Sequence, residues 1–112
     1  MESTARDLFP GALEMMILQA LRRQPMHGYA LAQHLQQSSG ELLAIEEGSL
    51  YPALQRMLKA KWVTAEWGVS ARNRRVRIYR ITAPGRKQLE REVSSFERML
   101  EGIKRVMKVS AS

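Results

Sequence analysis

A chain of 112 residues with 45% hydrophobic and 26% charged residues has the composition of one globular domain with a small core, which excludes a two-domain enzyme, a disordered segment and a fibre. Lys and Arg number 18 against 11 Asp and Glu, a formal charge of +7, which favours polyanionic partners, nucleic acid first among them. Cysteine is absent, excluding disulfides, thiolate zinc sites and a cysteine nucleophile, and neither a leader pattern nor a long apolar run is present, so a cytoplasmic protein without a membrane segment is expected.

Leu13, Met16, Ile17, Ala20 and Leu21 recur at helical spacing after Pro10-Gly11 and stop near Arg23, before Gln24-Pro25: a first helix. A second, shorter stripe of Tyr29, Ala30, Leu31 and Leu35 opens at His27-Gly28 and ends at Ser38-Ser39-Gly40. Glu46 to Pro52 has the character of a third helix start, with Ser49 as N-cap and Pro52 in the first turn, and this helix ends near Lys61. Its apolar face is Leu50, Leu54, Met57 and Leu58, which leaves Ser49, Tyr51, Gln55, Arg56 and Lys59 on a free face.

The pattern then changes. Trp62 to Trp67 and Val76 to Thr82 are rich in aromatic and β-branched residues, and between them Gly68, Ser70 and Asn73 lie among arginines. The simplest arrangement is an antiparallel hairpin with a basic tip. Thr82-Ala83-Pro84-Gly85 supplies an N-cap and an early proline for a long last helix running to about Val109. Along it Leu89, Val93, Phe96, Leu100, Ile103 and Met107 alternate at four and three residues, a heptad seam that predicts a homodimer.

The order of three helices, hairpin and helix describes a mainly α, α+β chain: a winged helix-turn-helix with a two-stranded β wing and a long C-terminal dimerisation helix. Residues 1–82 form the expected DNA-binding part and 83–112 the dimerisation helix. The charge is distributed accordingly: residues 1–47 sum to −3, 48–80 to +7 and 81–112 to +3. Five arginines in residues 72–80 repel one another and are best tolerated where an anion neutralises them.

Gln55 and Arg56 have the chemistry of base readers, since a Gln pairs an adenine edge and an Arg a guanine edge in bidentate fashion, each worth about 1–3 kcal/mol of discrimination. Tyr51 either offers its hydroxyl to DNA or packs in the core, the first being the expectation. Lys59, Arg72, Arg74, Arg75 and Arg77 suit phosphates or the minor groove, about five per protomer at most. The expected DNA-facing set is completed by His27 and Tyr29 at the start of the second helix, Ser49 and Pro52 on the third, and Asn73 at the wing tip.

His27 and His34 are separated by about 10.5 Å at ~1.5 Å per helical residue, too far to share an ion, so no metal or cofactor is expected. His27 instead orders the second helix or approaches a phosphate. Ser49 lacks a nucleophile elbow and a partnered base, so no catalytic residue is expected. A basic adaptor that coats nucleic acid without sequence preference is the alternative function.

The sequence resembles the PadR family of bacterial transcriptional regulators through Gly11-Ala12-Leu13-Glu14-Met15-Met16-Ile17-Leu18, Pro25-Met26-His27-Gly28-Tyr29, Glu47-Gly48-Ser49-Leu50-Tyr51-Pro52-Ala53-Leu54, and Asn73-Arg74-Arg75 with Tyr79-Arg80-Ile81-Thr82-Ala83-Pro84-Gly85. The match covers roughly Leu8 to Ile103, and the single last helix is similar to the family's short subfamily. The resemblance implies a dimeric repressor on an inverted-repeat operator in double-stranded DNA, released by a small-molecule effector, aromatic or phenolic in character. It also implies an effector cleft at Leu8, Met15, Val93 and Phe96, where simple seam packing of Phe96 is the competing reading. Two departures stand out. Lys61 occupies a position where many relatives carry a glycine suited to a left-handed helix end, at a cost of about 1 kcal/mol if φ is positive. Ile78 replaces an aromatic common before the tyrosine.

Overall fold

The computed structural model describes residues 3–4 and 8–108; Val109, the expected end of the last helix, lies outside them. Helix α1 (Ala12–Arg23) begins at Gly11, whose φ of +84° is left-handed and favours glycine. No side chain of Gly11 can cap the helix, and the Glu92 carboxylate of the last helix occupies this end instead: a Cβ on Gly11 would stand 2.5 Å from Glu92 Oε2. A negative charge there complements the α1 dipole. Ile17, Leu18 and Leu21 turn inward and are buried.

Helix α2 (Gly28–Ser38) is capped by His27, whose Nδ1 accepts from the Ala30 N–H at 3.3 Å. It ends in a Schellman turn at Gly40, φ +65°, with Gly40 N–H donating to Gln37 O and Glu41 N–H to Gln36 O, both at 3.0 Å. Helix α3 (Glu47–Lys59) starts earlier than its composition predicts. The cap is the extended Glu46, so Ser49 is the third helical residue, its N–H donating to Glu46 O at 3.0 Å, and Pro52 falls in the second turn. Two acidic residues at the helix start favour this earlier beginning through the dipole. The helix stops at Lys59 rather than Lys61. Lys61 has φ +64°, and Lys61 N–H and Trp62 N–H donate to Leu58 O and Met57 O, so the lysine takes the left-handed position of a second Schellman turn.

Strands β4 (Val63–Val69) and β5 (Arg75–Ile81) pair antiparallel from Val63↔Ile81 to Val69↔Arg75. The tip is a type I turn over Ser70–Asn73, closed by Asn73 N–H to Ser70 O at 2.9 Å, followed by left-handed Asn73 at φ +59°. Asn tolerates that conformation better than most residues. The wing gains a third strand, β2 (Met26–His27), giving the order β2-β5-β4. A separate parallel pair joins β1 (Ser3–Thr4) to β3 (Leu43–Ala44). These two-residue strands are too short to carry an alternating pattern.

Helix α4 (Ala83–Lys108) is capped as expected by Thr82, whose Oγ1 accepts from Gly85 N–H at 3.0 Å and donates to Lys61 O at 2.7 Å. The start of α4 lies against the turn that follows α3, with Gly85 so close to the Trp62 carbonyl oxygen that no Cβ fits between them, and α4 packs along α1. The core joins the inner faces of α1, α2 and α3 to Val63, Tyr79 and Leu89. Leu89, expected on the dimer seam, is 3% exposed and belongs to the protomer's own core. Beyond it α4 runs into solvent, and Val93, Leu100, Ile103, Val106 and Met107 are all exposed.

Candidate nucleic-acid interface

Helical geometry divides α3 into two faces. Leu50, Ala53, Leu54 and Met57 are buried, while Tyr51, Pro52, Gln55, Arg56 and Lys59 are exposed and Ser49 is half-buried. The face left free in the sequence is thus free in the fold, and Ala53 joins the core stripe. Arg56 is not idle: its Nη2 lies 3.3 Å from Glu14 Oε2 of α1. To reach a base it must exchange that carboxylate for the base edge.

Tyr51 sits on the other flank of α3, across the start of α2. A Cβ on Gly28 would be 2.6 Å from its hydroxyl oxygen, so the absence of a side chain at Gly28 makes room for the ring. Tyr51 is 41% exposed, so it is both a packing residue and an accessible one. Burial raises its pKa above the usual 10.0, helped by the nearby Glu47 carboxylate and Tyr79. At neutral pH the phenol is therefore a neutral hydroxyl able to donate to an anion. At the N-terminus of α2, the bond accepted by His27 Nδ1 leaves Nε2 to carry the ring hydrogen. Tyr29 is exposed and its hydroxyl accepts from Gln33 Nε2 at 3.0 Å.

The wing holds the densest positive charge. Arg72, Asn73, Arg74, Arg75 and Arg77 are all exposed at or near its tip. Arg75 and Arg77 lie over the Trp67 ring, with Cζ 4.4 and 5.3 Å from its centroid. Arg80, the fifth arginine of the run, is paired with Glu66 at 2.7 Å and is thereby neutralised. The sequence alone puts Trp67 on a strand and gives it no role; its register opposite Arg77 is the signal that reveals one. Glu14 and Gly28 carry no functional signal of their own in the sequence, because their partners Arg56 and Tyr51 are distant in the chain.

The four residues expected to form an effector cleft do not share one cavity within the chain. Met15 and Val93 line a groove of about 420 Å³ with Met16, Ala20 and Leu35. Met15 also meets Phe96 in a separate recess of about 60 Å³. Leu8 lies elsewhere, in a groove beside Glu14, Ser49 and Arg56. Among the described residues, no group of three or more His, Asp or Glu is placed to hold a metal ion, and no helix is long and apolar enough to cross a membrane.

Three helices with a β-hairpin wing, the third helix presenting a polar face beside that wing, define a winged-helix protein. Residues 17–91 match the family described as Transcriptional regulator PadR-like, and the chain belongs to that family. A transcriptional regulator from Clostridium thermocellum superposes with a TM-score of 0.79 at 26% identity, over 86% of this chain and 90% of that one. A PadR-like transcriptional regulator from Bacillus cereus does so at 0.74 and 28%, over 88% and 94%. Bacillus subtilis PadR, solved in complex with operator DNA, shares the fold at a TM-score of 0.65 and 20% identity, over 73% of this chain and 46% of that one.

Proposed function

We propose that the protein is a cytoplasmic homodimeric repressor that binds an inverted-repeat operator, with α3 reading bases in the major groove and the wing fixing the phosphate backbone. The observation that carries this reading is the concentration of +7 in residues 48–80, exposed on one helix face and the adjoining wing. Gln55 and Arg56 are the base readers, Lys59 and the wing arginines the phosphate contacts, and Tyr51, His27 and Tyr29 border the groove. The operator complex of Bacillus subtilis PadR supports the same use of a shared fold.

Residues 1–82 serve as the DNA-binding part and 83–112 as the dimerisation helix. Val93, Phe96, Leu100 and Ile103 supply the seam, joined by Val106 and Met107, with Leu89 withdrawn into the protomer. A two-fold axis through α4 sets two recognition helices about 34 Å apart, one turn of DNA. The groove bearing Met15 and Val93 is the site for a flat aromatic or phenolic effector, and release follows when that ligand favours a helix spacing that misfits the operator.

The test is selection of duplexes from a random pool at about 0.15 M salt, where phosphate-only binding is weakened. Enrichment of an inverted repeat with half-sites about one turn apart is expected. Tight binding with no enriched sequence would overturn the repressor reading in favour of a sequence-indifferent adaptor.

A further inference from the structure

Side chains of a strand alternate between its two faces, so Val63, Ala65, Trp67 and Val69 share one face of the wing with Arg75, Arg77, Tyr79 and Ile81. At the base of the hairpin this face is core, since Val63 and Tyr79 are buried against the helices. Toward the tip the same face emerges into water, where Trp67 is 58% exposed. A tryptophan placed in water on a basic hairpin asks for a reason, and its ring carries two guanidinium groups, Arg75 Cζ at 4.4 Å and Arg77 Cζ at 5.3 Å from the centroid. Among the described residues the ion pair within the hairpin is between Arg80 and Glu66. Arg75 and Arg77 are held by the indole rather than by a carboxylate, so their charge is not cancelled.

We propose that Trp67 is the positioning residue of the wing: its indole face gathers Arg75 and Arg77, against their mutual repulsion, into a preformed clamp for neighbouring phosphates of a duplex. The assignment rests on the DNA-binding reading above. The negative face of the ring attracts each cation, and a stacked guanidinium still presents its N–H edge outward, the edge that grips phosphate in bidentate fashion. Ordering the two long side chains before DNA arrives removes part of the entropy cost of binding. A carboxylate at position 67 would also gather the arginines but would neutralise them; an aromatic ring gathers without neutralising.

The experiment measures binding of the full chain to a mixed-sequence duplex of about three helical turns across a salt series, for wild type, W67F, W67L, R75Q/R77Q and the triple variant W67L/R75Q/R77Q. W67L should weaken binding about three- to tenfold at low salt, and W67F, which keeps a ring quadrupole, should stay within about twofold to threefold of wild type. The slope of log K against log salt should fall in W67L by up to about 0.9 for each phosphate that the wing no longer neutralises. Adding W67L to R75Q/R77Q should change nothing further, because the arginines it positions are gone. Wild-type affinity and slope in W67L would overturn the assignment, as would a W67L loss of full size in the R75Q/R77Q background, which would mean that the indole touches DNA itself. A wild-type chain that binds no duplex would instead remove the DNA-binding reading, and the assignment with it. Circular dichroism and melting of W67L and W67F separate loss of the clamp from loss of the fold.

Discussion

Gly28 opens α2 directly beneath the Tyr51 ring, and replacing it with alanine should change stability with a sign that depends on Tyr51. A glycine in a helix is less stable than alanine by up to about 1 kcal/mol, so Gly28→Ala taken alone would stabilise α2. The added methyl, however, would stand 2.6, 2.7 and 2.8 Å from the Tyr51 hydroxyl oxygen, Cε1 and Cζ. The ring must swing away and forfeit its half-buried packing, a loss of about 1–2 kcal/mol for a large side chain already partly wet. The net expectation is a destabilisation of up to about 2 kcal/mol in the wild-type background. In Tyr51→Ala the obstacle is absent, and the same Gly28→Ala change should stabilise by up to about 1 kcal/mol. Urea midpoints of the four proteins, taken at one protein concentration because of the proposed dimer, measure the cycle. Gly28→Ala should also weaken duplex binding, and no more than Tyr51→Ala does. Stabilisation by Gly28→Ala in both backgrounds would refute the packing of Tyr51 across α2.

Gly85→Ala drives a methyl onto the Trp62 carbonyl oxygen, a backbone atom held by its bond from Thr82 N–H, so a loss of about 2–3 kcal/mol in chemical denaturation is expected and an unchanged midpoint would contradict the close approach. Because burial with nearby Glu47 and Tyr79 raises the Tyr51 pKa above 10.0, the native chain holds that proton longer than the unfolded chain. The associated stability is intact below that pH and lost as pH rises through the native value. Tyr51→Phe should therefore flatten the alkaline decline of the urea midpoint, and parallel declines would count against the shift. Glu14→Gln frees Arg56 at a stability cost of no more than about 1 kcal/mol; duplex binding at low salt should tighten about two- to fivefold, whereas weaker binding would show that the carboxylate does not compete with DNA. Leu100→Glu with Ile103→Glu places two charges on the exposed stripe of α4 and should yield a folded monomer in sedimentation equilibrium, while a persistent dimer would exclude this seam.

Helical periodicity makes α1, α2 and α4 readable in the sequence, and aromatic and β-branched composition does the same for the hairpin. Thr82 is recognisable as a cap from its place before Ala83-Pro84, whereas a left-handed helix end at Lys61 is implied only by the family resemblance, in which many relatives carry glycine there. What escapes such reading depends on partners far along the chain. A serine is a good cap by about 1 kcal/mol, yet α3 begins at Glu47, where an extended Glu46 and acidic first-turn charge meet the helix dipole. Strand β2 is two residues long, and only its register with Tyr79 and Ile78 defines it. The heptad of α4 records which residues want burial but not against what, and Leu89 satisfies that demand inside its own protomer. Within the site, the α3 face is legible from the helical wheel. The pairing of Arg56 with Glu14, 42 residues earlier, and the stacking of two arginines on Trp67 are not, since both follow from tertiary placement.

Helix α1 is the element through which the two ends of the molecule must communicate if a ligand is to release DNA. Successive residues of one turn face different neighbours: Glu14 holds Arg56 of α3, while Met15 lines the groove that reaches Val93 of α4. The carboxylate of Glu92, one residue from Val93, lies against Gly11 at the N-terminus of α1. In the proposed regulator, a ligand that wedges Met15 and Val93 apart would act on a helix that contacts both α3 and α4. Helix α1 is packed through Ile17, Leu18 and Leu21, and close-packed interiors transmit displacement rather than absorb it. In the proposed dimer, a shift of α1 would change the angle of α4, and with it the separation of the two copies of α3, so the proposed release needs no distant relay.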